Sequence, residues 1–140
     1  MLAGLLVPSA GEVTAAGARA YLGHENGLDS DHTLRTEMRF WTGRDVSAEP
    51  PFGLAPLLDL KVRTLSQGQK RRSALWRIAE SGAGIWLLDE PGAGLDISAV
   101  AGLRDLIARH AQAGGIAVIA THRETEFAPT KTLELTGAAE

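Results

Sequence analysis

Cysteine is absent from the 140 residues, which excludes disulfides and thiolate metal sites and fits a reducing compartment. Charge of one sign never accumulates: 14 Lys and Arg stand against 17 Asp and Glu, a net charge of −3. The only basic cluster, Lys70-Arg71-Arg72, falls at an expected helix start. The basic stripe that tracks a nucleic acid is missing, so no nucleic-acid partner is expected. No window approaches the roughly 18 consecutive apolar residues of a membrane span. The apolar opening over residues 1–7 is too short to cross a bilayer and has no basic region ahead of it. A soluble chain is expected, one that reaches a membrane only through a partner. Repeats and low-complexity tracts are lacking too, and the length suits one domain. The last absence is specific: no G-x-x-x-x-G-K-[ST] loop occurs, and Lys61, Lys70 and Lys131, the three lysines, lie outside anything like one.

What is present alternates. Residues 1–7 read as the tail of a helix stopped by Pro8, with Pro8-Ser9-Ala10-Gly11 as a turn. Short strands are expected at 12–15 and 19–22. Leu34, Met38 and Trp41 recur at helical spacing and predict a short helix burying one face. After the loop Glu49-Pro50-Pro51-Phe52-Gly53, residues 54–60 suit another short helix. A longer helix is expected from Ser66 to about Glu80, packing through Leu75, Trp76, Ile78 and Ala79. Residues 85–88 form a continuous apolar run bounded by Gly84 and Asp89, as in a strand covered on both faces. Val100, Leu103, Leu106, Ile107 and His110 mark an amphipathic helix over about 99–113, closed by Gly114-Gly115. A second buried strand is expected at 116–120 and a third at 132–135. Strand–helix–strand order implies parallel pairing in an α/β sheet.

Two segments carry chemistry. Ser66-Gln67-Gly68-Gln69 is a capping box in which Ser66 and Gln69 satisfy two orphan amides at a helix start. Gly68 adds a position where a missing Cβ would let an anion approach exposed amides. Asp89-Glu90 ends the apolar strand. Such a pair is either a solvated strand end or a device for phosphoryl transfer. In the second case one carboxylate holds the water shell of Mg²⁺ near nucleotide phosphates. The other points elsewhere and orients or deprotonates the attacking water. Asp96, two residues before Ser98, suits a helix N-cap. His122 follows the strand at 116–120. Lys70-Arg71-Arg72 reads as a solvated basic face, and His32 and His110 as structural or exposed.

Leu65-Ser66-x-Gly68-Gln69, Ile85-Trp86-Leu87-Leu88-Asp89-Glu90-Pro91, Gly94-Leu95-Asp96 and His122 occur in an order and spacing that resemble an ATP-binding cassette (ABC) ATPase. They are similar to its signature, Walker B strand, D-loop and switch histidine. The resemblance implies an α/β fold: an incomplete RecA-like (P-loop NTPase) parallel core with a small α-helical subdomain inserted. Core segments would be 1–28 and 81–140, and the helical part 29–80. It further implies ATP and Mg²⁺ as cofactors, Asp89 for the metal, and Glu90 and His122 as catalytic residues. Ser66, Gly68, Gln69 and Asp96 would contact ATP held by a second ATP-binding subunit. His24 would stand in the place of the usual Q-loop glutamine, with shorter reach. By the same resemblance the phosphate loop and the elements around it belong before residue 1.

Tyr21-Leu22-Gly23-His24-Glu25-Asn26-Gly27-Leu28 and Thr33-Leu34-x-x-Glu37-Met38-x-Phe40-Trp41 narrow the resemblance to the ATP-binding subunit of the haem exporter in cytochrome c maturation. Glu37 departs from the usual Asn. The partners implied are membrane permease subunits, contacted through residues 24–45. The implied location is cytoplasmic, peripheral on the inner face of the membrane. Two alternatives stay open: an ATPase for another small exporter, and an inert fragment that binds no nucleotide, for which the missing phosphate loop argues.

Overall fold

The computed structural model describes residues 3–4, 7, 9–46, 49–122 and 127–133. Three strands, β1 (Arg19–Leu22), β2 (Ile85–Asp89) and β3 (Ile116–Ala120), form one parallel sheet in the order β1-β2-β3. Tyr21, Leu87 and Val118 stand side by side in register, as do Leu22, Leu88 and Ile119. Helix α1 (Leu34–Thr42) is separated by 3₁₀ turns at Pro51–Gly53, Ala55–Leu57 and Val62–Thr64 from α2 (Gln67–Glu80). Helix α3 (Ile97–Gln112) connects β2 to β3. Among the described residues no helix is long and apolar enough to cross a membrane.

Period-two alternation sorts the sheet into unlike faces. Ala20, Leu22, Trp86 and Leu88 point into a cluster with Ala74, Leu75 and Ile78 of α2 and Leu103 of α3. Leu22 and Leu103 are wholly buried there, and each such side chain contributes about 1.5–3 kcal/mol by leaving water. A second cluster joins Leu34 and Met38 of α1 to Leu54, Leu58, Leu65 and Trp76. Half-buried Phe52 touches both clusters.

The helix ends follow the sequence. Ser66 caps α2 through a complete capping box: Gln69 N–H donates to Ser66 Oγ at 3.2 Å, and Ser66 N–H to Gln69 Oε1 at 2.8 Å. Thr33 caps α1, which Gly43 closes at φ 67°, a left-handed turn that favours glycine. Asp96 caps α3 as expected, and the helix starts at Ile97, two residues earlier than expected. Gly114 turns the chain after α3 at φ 87°.

Several expectations are corrected. Residues 12–15 are irregular: they pair with no strand among the described residues, and Val13 is exposed. Residues 54–60 form a 3₁₀ turn and a hydrogen-bonded turn rather than a helix, held partly by Leu57 N–H to Leu54 O at 2.9 Å. Strand β3 is not buried: Ile116 and Val118, on the side away from α2 and α3, are 58% and 43% exposed. Trp41 is half exposed, unlike Leu34 and Met38. Thr132 and Leu133 are irregular, and the rest of the strand expected at 132–135 lies outside the described residues. So does most of the helix tail expected over 1–7.

Candidate functional site

Strand β2 delivers Asp89 and Glu90 to the end of the sheet where β3 delivers Thr121 and His122. Glu90 N–H donates to Ala120 O at 2.8 Å, prolonging the ladder one step past the strand. Glu90 then adopts φ 45°, a left-handed conformation that a side chain with a Cβ rarely takes. The turn swings its carboxylate across β3. Glu90 Oε1 accepts from the His122 backbone N–H at 2.9 Å and lies 2.8 Å from His122 Nδ1, while the Thr121 hydroxyl donates to Oε2 at 3.4 Å. The hydrogen bond from His122 is the main reason the Glu90 carboxyl sits below its ordinary range. The imidazole stays mostly in solvent. Asp89 is half-buried beside this pair, and no hydrogen bond engages its carboxylate among the described residues. A carboxylate held open next to a carboxylate–imidazole pair can bind a cation and position a water.

The other expected residues make no described hydrogen bond to this pair. Ser66 and Gln69 are occupied with each other in the capping box. Gly68 also has a packing role: a Cβ there would meet Gly94 O at 2.8 Å. Its missing side chain lets the Gly94-Leu95-Asp96 turn approach α2. Asp96 accepts from Ala99 N–H at 2.8 Å and from the Ser98 hydroxyl at 2.7 Å. The bond from Ala99, then that from Ser98, lowers its pKa. His24 does not join the Glu90 pair. It is exposed and lines a cleft of about 860 Å³, with Asn26, Glu37, Trp41, Gln67 and Lys70 among the other walls.

Arg71, read with Lys70 and Arg72 as a solvated basic face, lies elsewhere: it is 5% exposed. Its guanidinium donates to Gly23 O at 2.8 Å, to Asn26 Oδ1 at 3.3 Å, to Glu90 O at 2.8 Å and to Asp89 O. Burial pulls its pKa down, and the charges of Asp89 and Glu90 pull it back up. The signal was available: Arg71, Ala74, Leu75 and Ile78 share the buried stripe of α2 at spacings of three and four. Arg77, half-buried on the same helix, is a second arginine the motifs do not single out. It lies 4.6 Å from the Trp41 ring centre and reaches Tyr21 O and Asn26 O, both at 3.4 Å. Buried Glu37 completes that side, accepting from Trp41 Nε1 at 2.8 Å with His32 Nδ1 at 3.3 Å. His110 stacks on Trp86 with centroids 3.7 Å apart.

The fold and this arrangement define a class first: the chain has the fold of a P-loop ATPase of the ATP-binding cassette type. A solved chain described as RNase-L Inhibitor superposes with a TM-score of 0.69 at 27% identity, covering 85% of this chain and 25% of that one. A dimeric ATP-binding cassette solved after hydrolysis with ADP and phosphate gives 0.63 at 18% identity, covering 77% and 53%. No family model matches the chain. The cytochrome c biogenesis ATP-binding export protein CcmA of Novosphingobium aromaticivorans is 43% identical over 137 residues, 96% of this chain and 72% of that protein. Its counterpart in Rhizobium meliloti is 37% identical over 158 residues, covering 98% and 76%. In Cupriavidus pinatubonensis the figures are 39% over 144 residues, 88% and 64%. The chain belongs to the family of these cytochrome c biogenesis ATP-binding export proteins, and spans 64% to 76% of the length of these three.

Proposed function

We propose that these residues supply the hydrolytic carboxylates and the signature surface of an ATP-driven exporter serving cytochrome c biogenesis, with haem as the cargo. The observation that carries the reading is the Glu90–His122 pair at the end of β2 and β3, with Asp89 beside it. Glu90 orients the attacking water and accepts its proton. His122 fixes the carboxylate and senses the γ-phosphate. Phosphoryl transfer asks mainly for positioning and charge stabilisation, so few groups suffice.

Asp89 fits a Mg²⁺ ion. Among the described residues no cluster of three or more acidic or histidine side chains would cage a metal, but Mg²⁺ keeps much of its water and takes one or two carboxylates beside nucleotide phosphates. When bound it would neutralise charge on those phosphates. Ser66, Gly68, Gln69 and Asp96 face the nucleotide of a second subunit, and the cleft beside His24 receives the membrane permease. The names of the relatives support ATP and export.

The 140 residues contain no phosphate loop, and the lysine and amides of that loop are the principal triphosphate cradle. Calorimetric titration of this chain with ATP should therefore give no micromolar binding; micromolar affinity overturns that part. In a transporter whose subunit combines these residues with a phosphate loop, Glu90→Gln should leave ATP bound and slow turnover by about 10²-fold or more. Unchanged turnover removes Glu90 from the chemistry.

A further inference from the structure

Arg71 spends its guanidinium almost wholly on main-chain oxygens. Two of its bonds go to the consecutive carbonyls of Asp89 and Glu90, and one to Gly23 O, in the loop after β1. The fourth reaches Asn26 Oδ1 in that same loop. Nε is buried without a hydrogen-bond partner among the described residues. Withdrawing an arginine from water is costly unless the geometry of its partners is fixed. The partners here are the carbonyls of the residue that leaves the strand and of the residue that follows it.

Glu90 needs outside support. Its φ of 45° is costly for a residue with a Cβ, and such a conformation persists only where surroundings over-determine it. On one side the Glu90 N–H is tied to Ala120 O, which fixes the turn to the edge strand β3. On the other, the Glu90 carbonyl is tied to Arg71 on the buried stripe of α2. Release of the carbonyl lets the peptide after Glu90 rotate, and the carboxylate then loses its bearing on the His122 N–H and ring.

We infer that Arg71 is a positioning residue, which holds the Glu90 turn so that the carboxylate stays on His122 and ties that turn to the Gly23–Asn26 loop bordering the cleft. Arginine is required because its planar fork reaches several carbonyls at once, whereas a lysine ammonium is a compact charge on a flexible stem. The inference takes its functional meaning from the proposed role of Glu90, but the geometry is testable without nucleotide.

The test is amide hydrogen exchange on the 140-residue chain, residue by residue, for wild type, Arg71→Gln and Arg71→Lys. The reporters are the amides of Glu90 and His122, which depend on the turn. The reference is the Ile116 amide, which donates to Gly84 O at 2.9 Å at the far end of the same pair of strands. Arg71→Gln should lower protection of the His122 amide about tenfold or more relative to Ile116, and Arg71→Lys should recover only part of it. Equal loss at all three amides, or no loss, overturns the proposal, because a merely structural arginine would weaken the whole sheet together. Should Arg71→Gln fail to fold, the wild-type guanidinium decides: separate, slowly exchanging Nη–H signals are expected, and a single averaged signal overturns the proposal. If Glu90→Gln leaves turnover intact while the exchange pattern holds, the hydrolytic reading fails and the positioning role stands.

Discussion

The sheet has one face packed under two helices, while on the other Tyr21, Ile116 and Val118 are exposed among the described residues, and the two halves of the site are supported accordingly. On the packed face, α2 brings Leu75, Ile78 and the buried Arg71 against β1 and β2, so Asp89 and Glu90 are held by side chains from elements distant in sequence. His122, by contrast, follows the edge strand β3, whose Ile116 and Val118 look into solvent. Its described hydrogen bonds run to Glu90. The acidic half is therefore built in, and the histidine half leans on it.

The largest test of that contrast compares the two faces directly. Leu75→Ala removes a side chain 1% exposed and should cost about 2–5 kcal/mol, because the surrounding helices close only partly over the cavity. Val118→Thr alters the open face and should stay within about 0.5 kcal/mol. Urea midpoints of the two variants measure the difference. Similar losses would mean that the open face is covered in solution.

A sharper comparison separates two glycines. Gly68→Ala gains helix propensity of about 1 kcal/mol at most, but its Cβ meets a backbone carbonyl, Gly94 O, at 2.8 Å, which cannot swing aside as a side chain would. A net loss of about 1–2 kcal/mol is expected from overpacking, with disturbed amide signals at 94–96. Gly84→Ala meets nothing within 4 Å and should change stability by less than about 0.5 kcal/mol. If both are neutral, the Gly94 turn is not seated on α2.

How much of this was legible depended on what each residue answers to. The capping box at Ser66 and the apolar strand at 85–88 follow from local spacing, and parallel pairing in the sheet from the order of the elements; they form as read, with β2 running one residue further to Asp89. The strand at 116–120 was placed correctly but misjudged as buried, since an apolar run does not reveal whether a second layer covers it. Composition misled most at Lys70-Arg71-Arg72. A run of cations suggests a wet surface, and only the helical phase of Arg71 relative to Leu75 and Ile78 distinguishes it from its neighbours. The Glu90–His122 contact rests on a positive φ at Glu90, which nothing in a carboxylate after a strand announces. The link from Gly68 to Gly94 was hidden likewise, because it is set by backbone approach between segments.

The smallest effect concerns the start of α3, where the chain leaves the acidic site for the open strand. Asp96 accepts from the Ala99 amide and the Ser98 hydroxyl, and its pKa is lowered from the ordinary 3.8. A carboxyl with a depressed folded value stabilises the fold above the unfolded pKa, and that contribution disappears as pH falls through the folded value. The loss therefore belongs below pH 3.8. Asp96→Asn retains a capping oxygen but does not titrate, and Asn is as good an N-cap as Asp. Urea midpoints followed from about pH 5 down to about pH 2 should fall more steeply for wild type than for Asp96→Asn, with the curves converging at the acid end. The side chain is exposed, so the difference should be small and shrink with added salt. Parallel curves would show that the cap works as a hydrogen bond alone, leaving α3 held by Leu103 beneath it rather than by charge at its entrance.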